Sequence, residues 1–254
     1  MILESFRLNG KNALVTGSSR GLGAAIALAL AQAGANVGLH GRKAGGEVGC
    51  AAIRGLGRKT FYLAGDVADP KVCEALVQNT VDEFGSIDIL INNAGTIRRA
   101  PAAEQSMAEW DELIAVNLSA VFRLSQLAGQ HILKSGGKGK IVNIASLLSF
   151  QGGIRVPAYA AAKGGVAILT KALANEWASK GINVNAIAPG YMATDNTQAL
   201  RDDPQRSRQI LERIPAGRWG EVNDLAGAAV FLCSSASDYV HGHVLLVDGG
   251  WMAR

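Results

Sequence analysis

Tyr159 and Lys163 stand four positions apart in an Ala-rich stretch that opens at Pro157. That spacing puts both side chains on one face of a helix, one turn apart. A tyrosine titrating near ~10 is a poor base at neutral pH, and a cation held beside it favours the phenolate. Just upstream, Ile141, Val142 and Ile144 form a short apolar run that reads as a buried parallel strand, and it delivers Ser146 to its carboxyl end. A serine hydroxyl there can hold a substrate oxygen while the tyrosine gives or takes the proton. No side chain carries a hydride, so redox chemistry at this trio requires a cofactor bound elsewhere in the chain.

Residues 12–23 supply a place for one. Asn12 to Thr16 reads as the first strand, breaks into Gly17-Ser18-Ser19-Arg20-Gly21-Leu22-Gly23, and passes into an Ala-rich helix closed by Gly34. Glycines at 17, 21 and 23 let the backbone turn sharply and approach a pyrophosphate, which the helix N-terminus stabilises. The spacing differs from the common G-x-G-x-x-G, but its place between strand and helix makes the same chemistry available. The second strand, residues 36–41, ends in His40-Gly41-Arg42, where an NAD site would carry an acid for the ribose 2′-hydroxyl. Arg42, helped by Arg20, is instead suited to a 2′-phosphate, which favours NADP over NAD; two solvated arginines are the alternative.

The rest of the chain must position these groups. A third strand (60–64) ends at Gly65-Asp66-Val67, where Asp66 either meets the adenine or caps a helix that begins near Pro70 and ends at Gly85. A fourth strand (87–91) leads into Asn92-Asn93-Ala94-Gly95, a stop suited to close packing against a cofactor. One long helix is expected over 107–133, with Asn117 in an apolar surround. That amide either organises a water beside Lys163 or is a satisfied core group. The strand at 182–188 runs into Pro189-Gly190-Tyr191-Met192-Ala193-Thr194, and the polar run 195–215 has the character of a mobile lid. A last helix (221–234) and strand (244–247) complete the series. No linker, repeat or low-complexity tract interrupts it, so residues 1–254 are expected to form a single α/β domain.

Composition narrows the function classes. Apolar residues make up 48% and glycines number 31, as many tight turns around a buried parallel sheet require. The net charge of +4 comes without a polybasic run, so nucleic acid is not an expected partner. Cys50, Cys73 and Cys233 are widely spaced and read as reduced thiols of a cytoplasmic protein. His241 and His243 lack a third ligand cluster, so no metal is expected. The first residues carry Glu4 and no apolar core of a signal peptide, and no apolar run is long enough to span a bilayer.

Taken together, Thr16-Gly17-x-x-x-Gly21-x-Gly23, Asn92-Asn93-Ala94-Gly95, Ser146, Tyr159-x-x-x-Lys163 and Pro189-Gly190 with Thr194 resemble the short-chain dehydrogenase/reductase family over the whole chain. The resemblance implies a Rossmann-like, doubly wound parallel sheet of about seven strands. It implies a catalytic set of Asn117, Ser146, Tyr159 and Lys163: Tyr159 as acid/base, Ser146 orienting the substrate oxygen, Lys163 lowering the tyrosine pKa and holding the nicotinamide ribose, Asn117 supporting a relay water. Gly17, Ser19, Arg20, Gly21, Leu22, Gly23, Arg42, Asp66, Val67, Asn93, Ala94, Gly95, Pro189, Gly190, Met192 and Thr194 would contact the cofactor. A homotetramer paired through the two long helices is implied as well.

Segments outside those motifs, among them residues 149–157, Asn175-Glu176-Trp177-Ala178, 215–220 and Asp248-Gly249-Gly250-Trp251, are similar to the sugar-acid 5-dehydrogenases of that family. The implied reaction is reversible hydride transfer between a C5 ketone and alcohol of a gluconate-type acid. Such a substrate needs a partner for its carboxylate. Arg98, Arg99 and Arg155 follow strands four and five, where open α/β folds bind ligands; Arg155 is taken first and Arg98 second, with surface or interface roles the alternative. Gln151 and Tyr191 are candidates for sugar hydroxyls or for structural roles. A reductase of 3-oxoacyl thioesters or another small ketone is the competing enzyme reading, since the shared motifs do not choose substrates. A non-catalytic nucleotide-binding scaffold is the other, and an intact Asn117, Ser146, Tyr159 and Lys163 weighs against it.

Overall fold

The computed structural model describes all 254 residues. Strands β1 (Asn12–Val15), β2 (Asn36–Gly41) and β3 (Thr60–Ala64) alternate with helices α1 (Gly21–Gln32), α2 (Glu47–Gly55) and α3 (Pro70–Phe84). β4 (Ile89–Asn92) leads to α4 (Met107–Ile114) and α5 (Ala120–Lys134), then β5 (Gly139–Ile144) and α6 (Pro157–Trp177). β6 (Ile182–Pro189), α7 (Gln198–Arg201), α8 (Pro204–Arg213), α9 (Ala226–Cys233) and β7 (Val244–Val247) complete the series. All strands pair in parallel in one sheet of order β3-β2-β1-β4-β5-β6-β7. This is the Rossmann-like, doubly wound α/β fold that the sequence led us to expect.

Side-chain alternation builds the core on both faces. Ala13 and Val15 of β1 pack with Ile26 and Leu30 of α1 and with Ala229 and Leu232 of α9. Leu14, between them, faces the other way, toward Leu76 of α3, Leu124 of α5 and Trp177 of α6. Strand order reverses between β1 and β4, so the loops leaving their carboxyl ends diverge and leave a crevice at the switch point. No helix is long and apolar enough to cross a membrane.

Two expectations need correction. The helix expected over 107–133 is broken: α4 ends at Ile114, residues Ala115–Ser119 form a π-turn, and α5 follows. The wider turn carries Asn117 inward to complete burial. The residue capping α3 is Asp69, whose carboxylate accepts the Lys71 amide, so Asp66 is not that cap. The helical stretches expected within 195–215 are present as α7 and α8, and Ile210 and Ile214 pack against Leu147 and Trp251.

Candidate active site

The glycine-rich turn owes its shape to two different demands. Gly21 takes φ +58 with open space around a would-be side chain, so conformation is what requires glycine there. Gly23 is required for space: a Cβ would stand 2.3 Å from the Gly17 carbonyl oxygen and 2.4 Å from the Asn93 amide nitrogen. Asn93 braces this turn from β4, donating to the carbonyls of Thr16 and Gly17 at 2.9 Å each. Arg20, the residue preceding α1, makes no side-chain capping bond, which leaves the first helical N–H groups open to an anion.

The turn forms one wall of a cavity of about 370 Å³ along the carboxyl ends of the strands. Of the cofactor residues named from sequence, Gly17, Ser19, Arg20, Gly21, Leu22, Gly23, Arg42, Asp66, Val67, Asn93, Ala94, Gly95, Tyr159, Lys163 and Thr194 line it. Pro189, Gly190 and Met192 do not. Gly190 and Met192 line a separate cavity of about 230 Å³ beside Asp248, and only Thr194 of that segment reaches the main one. At one end of the cavity, Arg42 follows β2 with no carboxylate partner, whereas Arg20 is paired with Asp195 at 3.1 Å.

At the other end stand Tyr159 and Lys163. Tyr159 is half-buried and close enough to Ser146 for that hydroxyl to hold its pKa down, and Lys163 Nζ lies 5.7 Å from the tyrosine ring centroid. Ser146 is held in place because its hydroxyl also accepts the Leu148 amide at 3.2 Å. Lys163 is 4% exposed and Nζ donates to the Ile144 carbonyl at 2.6 Å. Burial drives its pKa from the ordinary 10.5 to about 8. Burial also raises the Tyr159 phenol above its usual value; Ser146 and the positive charge of Arg99 oppose that shift. Nζ thus bonds a backbone carbonyl while standing near the Tyr159 ring, so its positive charge remains beside the phenol.

The Asn117 side chain is fully buried and its amide is satisfied. Its Nδ2 donates to the carbonyls of Thr96 and Leu113, and its Oδ1 accepts the Thr96 amide, so the side chain fastens the loop after β4. Gly95 must be small for the same reason, since a Cβ would lie 2.8 Å from Asn117 Oδ1.

The arginine ranking also changes. Arg155 is exposed at φ +64, the one non-glycine residue in left-handed backbone; its carbonyl accepts the Ala100 amide at 3.0 Å and its side chain has no partner. Arg98 is paired with Glu112 at 3.3 Å. Arg99 instead reaches across to the Asn196 carbonyl at 3.2 Å, and its charge acts on Tyr159. Glu112 and Asn196 both line the main cavity, so each arginine is held at its rim by a different partner. Gln151 accepts, at 3.4 Å each, from Arg213 and from the Trp251 indole. Tyr191 packs on Trp251 with ring centroids 4.6 Å apart and lines the smaller cavity, so both residues are engaged within the lid's anchoring cluster.

A family profile described as enoyl-(acyl carrier protein) reductase matches residues 17–252. The chain is 54% identical to the Escherichia coli 2-dehydro-3-deoxy-D-gluconate 5-dehydrogenase over 255 aligned residues, covering all of both proteins. The chain belongs to the short-chain dehydrogenase/reductase family. Among solved structures, one from Agrobacterium tumefaciens with bound NADP is 57% identical, with TM-score 0.92 over 98% of this chain and 99% of that one. A Burkholderia cenocepacia gluconate 5-dehydrogenase in complex with NADP and tartrate is 41% identical, with TM-score 0.94 over the full length of both. The protein is therefore an oxidoreductase of this family.

The remaining lining residues include His40, Thr96, Ile97, Glu112, Val116 and Ile144, none assigned to the cavity from sequence. Only His40 carried a readable signal: a polar ring inside a strand whose other residues are small or apolar needs partners.

Proposed function

We propose that this protein is an NADP-preferring sugar-acid dehydrogenase that interconverts a C5 ketone and a secondary alcohol on a gluconate-type acid such as 2-dehydro-3-deoxy-D-gluconate. The observation that carries the reading is the meeting of Tyr159 and Lys163 in the cavity that the glycine turn walls, with Ser146 beside the tyrosine. The substrate class is that of the Escherichia coli relative, and Arg99 beside Tyr159 is consistent with an acid. We further propose one catalytic domain over residues 1–254, a cytoplasmic location supported by three free, buried thiols, and a homotetramer.

The cavity fits the cofactor. Its glycine cradle would be filled by any Cβ at Gly23, and the α1 N-terminus is uncapped. In the absence of a carboxylate after β2, Arg42 is free to meet a 2′-phosphate, with Arg20 beside the glycine turn as a second cation. Asp66 and Val67 would border the adenine, and Lys163 and Thr194 the nicotinamide half. Bound NADP supplies the hydride donor or acceptor that no side chain provides.

The chain's own groups do the remainder. Ser146 donates to the substrate oxygen and fixes it beside the Tyr159 hydroxyl. In the reducing direction Tyr159 gives its proton to that oxygen as charge develops there; in the oxidising direction it takes the proton back. Lys163, held by the Ile144 carbonyl, places a positive charge in the same low-dielectric pocket and stabilises the phenolate as it forms. Arg99 offers the substrate carboxylate a forked, charge-assisted contact, which would hold C5 in register with Tyr159.

The direct test is initial rates at 340 nm with gluconate and 3-deoxy-keto-gluconates, NADP and NAD in parallel. Turnover with a sugar acid and a preference for NADP is the expected result. Silence with every sugar acid, or activity confined to 3-oxoacyl thioesters, would refute the substrate class; a strong NAD preference would make Arg42 a bystander. Within that assay, Arg99→Ala should raise KM for the acid about tenfold or more while sparing neutral ketones, a loss on the order of 1.5–3 kcal/mol for one charged hydrogen bond. Arg155→Ala should change either KM little. Equal losses on acidic and neutral substrates for Arg99→Ala would remove it as the carboxylate reader.

A further inference from the structure

His40 is 2% exposed, near the carboxyl end of β2, yet it is used by none of the chemistry above. Its ring lies between two cofactor loops. The Gly17 amide donates to Nδ1 at 3.1 Å, and Nε2 stands 3.0 Å from the Gly65 carbonyl. An amide can only donate and a carbonyl can only accept, so the two partners together select the neutral tautomer with hydrogen on Nε2. The backbone of His40 is engaged in the same knot: the Ser18 amide donates to its carbonyl at 2.7 Å, and its own amide donates to Ser18 Oγ at 3.0 Å.

Resting on the reading of this cavity as a dinucleotide site, we propose that neutral His40 is the positioning residue of the cofactor loops. It holds Gly17, at the phosphate end, to Gly65, at the adenine end, and gaining a proton undoes that link. In the imidazolium Nδ1 carries hydrogen and meets the Gly17 N–H donor to donor, so one of two buried bonds is lost and the glycine turn loses its brace. The loop after β1 sets the uncharged Ser18 against the His40 backbone and carries Arg20 into the same cavity, and the end of β3 presents the Gly65 carbonyl and Asp66, both of which favour the protonated ring. Burial outweighs Asp66, and the pKa lies below the ordinary 6.5. The ring is thus neutral at pH 7 and charges only in more acidic solution.

The consequence is a cofactor affinity that weakens on acidification, by at most about tenfold per pH unit below the His40 pKa. NAD reads the link alone, because the 2′-phosphate of NADP itself takes up a proton near pH ~6. Dissociation constants of NAD would be measured from pH 8 to pH 5 on the wild-type protein and on His40→Asn, which keeps an acceptor near the Nδ1 position and does not titrate, with NADP in parallel. A fall in wild-type NAD affinity, absent from His40→Asn, is the expected outcome. A flat wild-type NAD profile, a fall seen with NADP alone, or the same NAD fall in His40→Asn would overturn the proposal.

A measurement without cofactor separates this inference from the reading beneath it. Nitrogen chemical shifts of labelled His40 in the wild-type protein should report an unprotonated Nδ1 and a protonated Nε2 at pH 7.5. The opposite tautomer, or a ring already charged at that pH, would overturn the proposal even if cofactor binds. The expected tautomer in a protein that binds neither NAD nor NADP would leave the loop brace standing and remove the cofactor reading.

Discussion

A Tyr159→Phe protein is expected to lose about 10²–10⁴-fold of kcat, the range supplied by a positioned acid or base, and to bind NADP as the wild type does. The substitution removes one oxygen and leaves the ring, its place one turn before Lys163 and the cavity walls intact. What disappears is the hydroxyl beside Ser146. The direction of the phenol's shift adds a pH signature. Burial raises its pKa above the ordinary value, so in the free enzyme the phenol is the acid and carbonyl reduction finds it ready protonated at neutral pH. Alcohol oxidation needs the phenolate, and its kcat/KM should therefore climb with pH across the neutral and alkaline range. Residual Tyr159→Phe activity within a few-fold of wild type, or an oxidation rate that falls as pH rises from 7 to 9, would transfer the proton step to another group.

Lys163→Met is expected to abolish most turnover and yet to yield a protein no less stable at pH 7 than the wild type. The ammonium is 4% exposed and its pKa is driven from 10.5 to about 8 by burial, so keeping it charged at neutral pH costs roughly 3 kcal/mol at ~1.4 kcal/mol per unit. Methionine removes that cost but leaves the Ile144 carbonyl without its 2.6 Å donor, a loss of ~1–3 kcal/mol. The net change at pH 7 is therefore small and positive, a rise of about 2–4 °C in Tm per kcal/mol.

The pH dependence is the sharper readout. Between about 8 and 10.5 the unfolded chain still holds the lysine proton and the folded one has released it, so wild-type stability gains on the variant as pH rises through that window. Denaturant unfolding of both proteins at pH 7, 8, 9 and 10, without cofactor, measures that difference. A gap that stays constant from pH 8 to 10 would mean that Lys163 bears no buried-charge cost. A several-fold loss of stability at pH 7 would mean that the Ile144 contact outweighs it.

Much of this site could be read from the chain because its parts are local. Gly17, Gly21 and Gly23 fall within one turn, and Tyr159 and Lys163 within one helical repeat, so spacing alone fixes their relation. Parallel strands announce themselves as short runs of apolar residues between turns, at the sheet edges as well as inside, which is why residues 36–41, 60–64 and 244–247 emerge with their observed bounds. The break at Ala115–Ser119 was not legible, since a π-turn leaves the hydrophobic pattern of the surrounding helix almost unchanged. Nor was the capping role of Asp69 over Asp66, because two acids three residues apart compete for one helix start and only the backbone path chooses.

The sequence by itself determined the fold class, the cofactor's glycine cradle and the tyrosine–lysine pair, all set by short-range periodicity and by glycine's backbone freedom. Tertiary structure decided the rest. It bonded Arg98 to Glu112 and Arg99 to the Asn196 carbonyl, drew Pro189, Gly190 and Met192 away from the main cavity, spent the Asn117 amide on the Thr96 loop and set His40 between Gly17 and Gly65. Each of these depends on which strands are neighbours and on how far a side chain must reach between loops distant in sequence. Neither is encoded in spacing along the chain; both follow from the β3-β2-β1-β4 order, which brings those loops to one edge of the sheet.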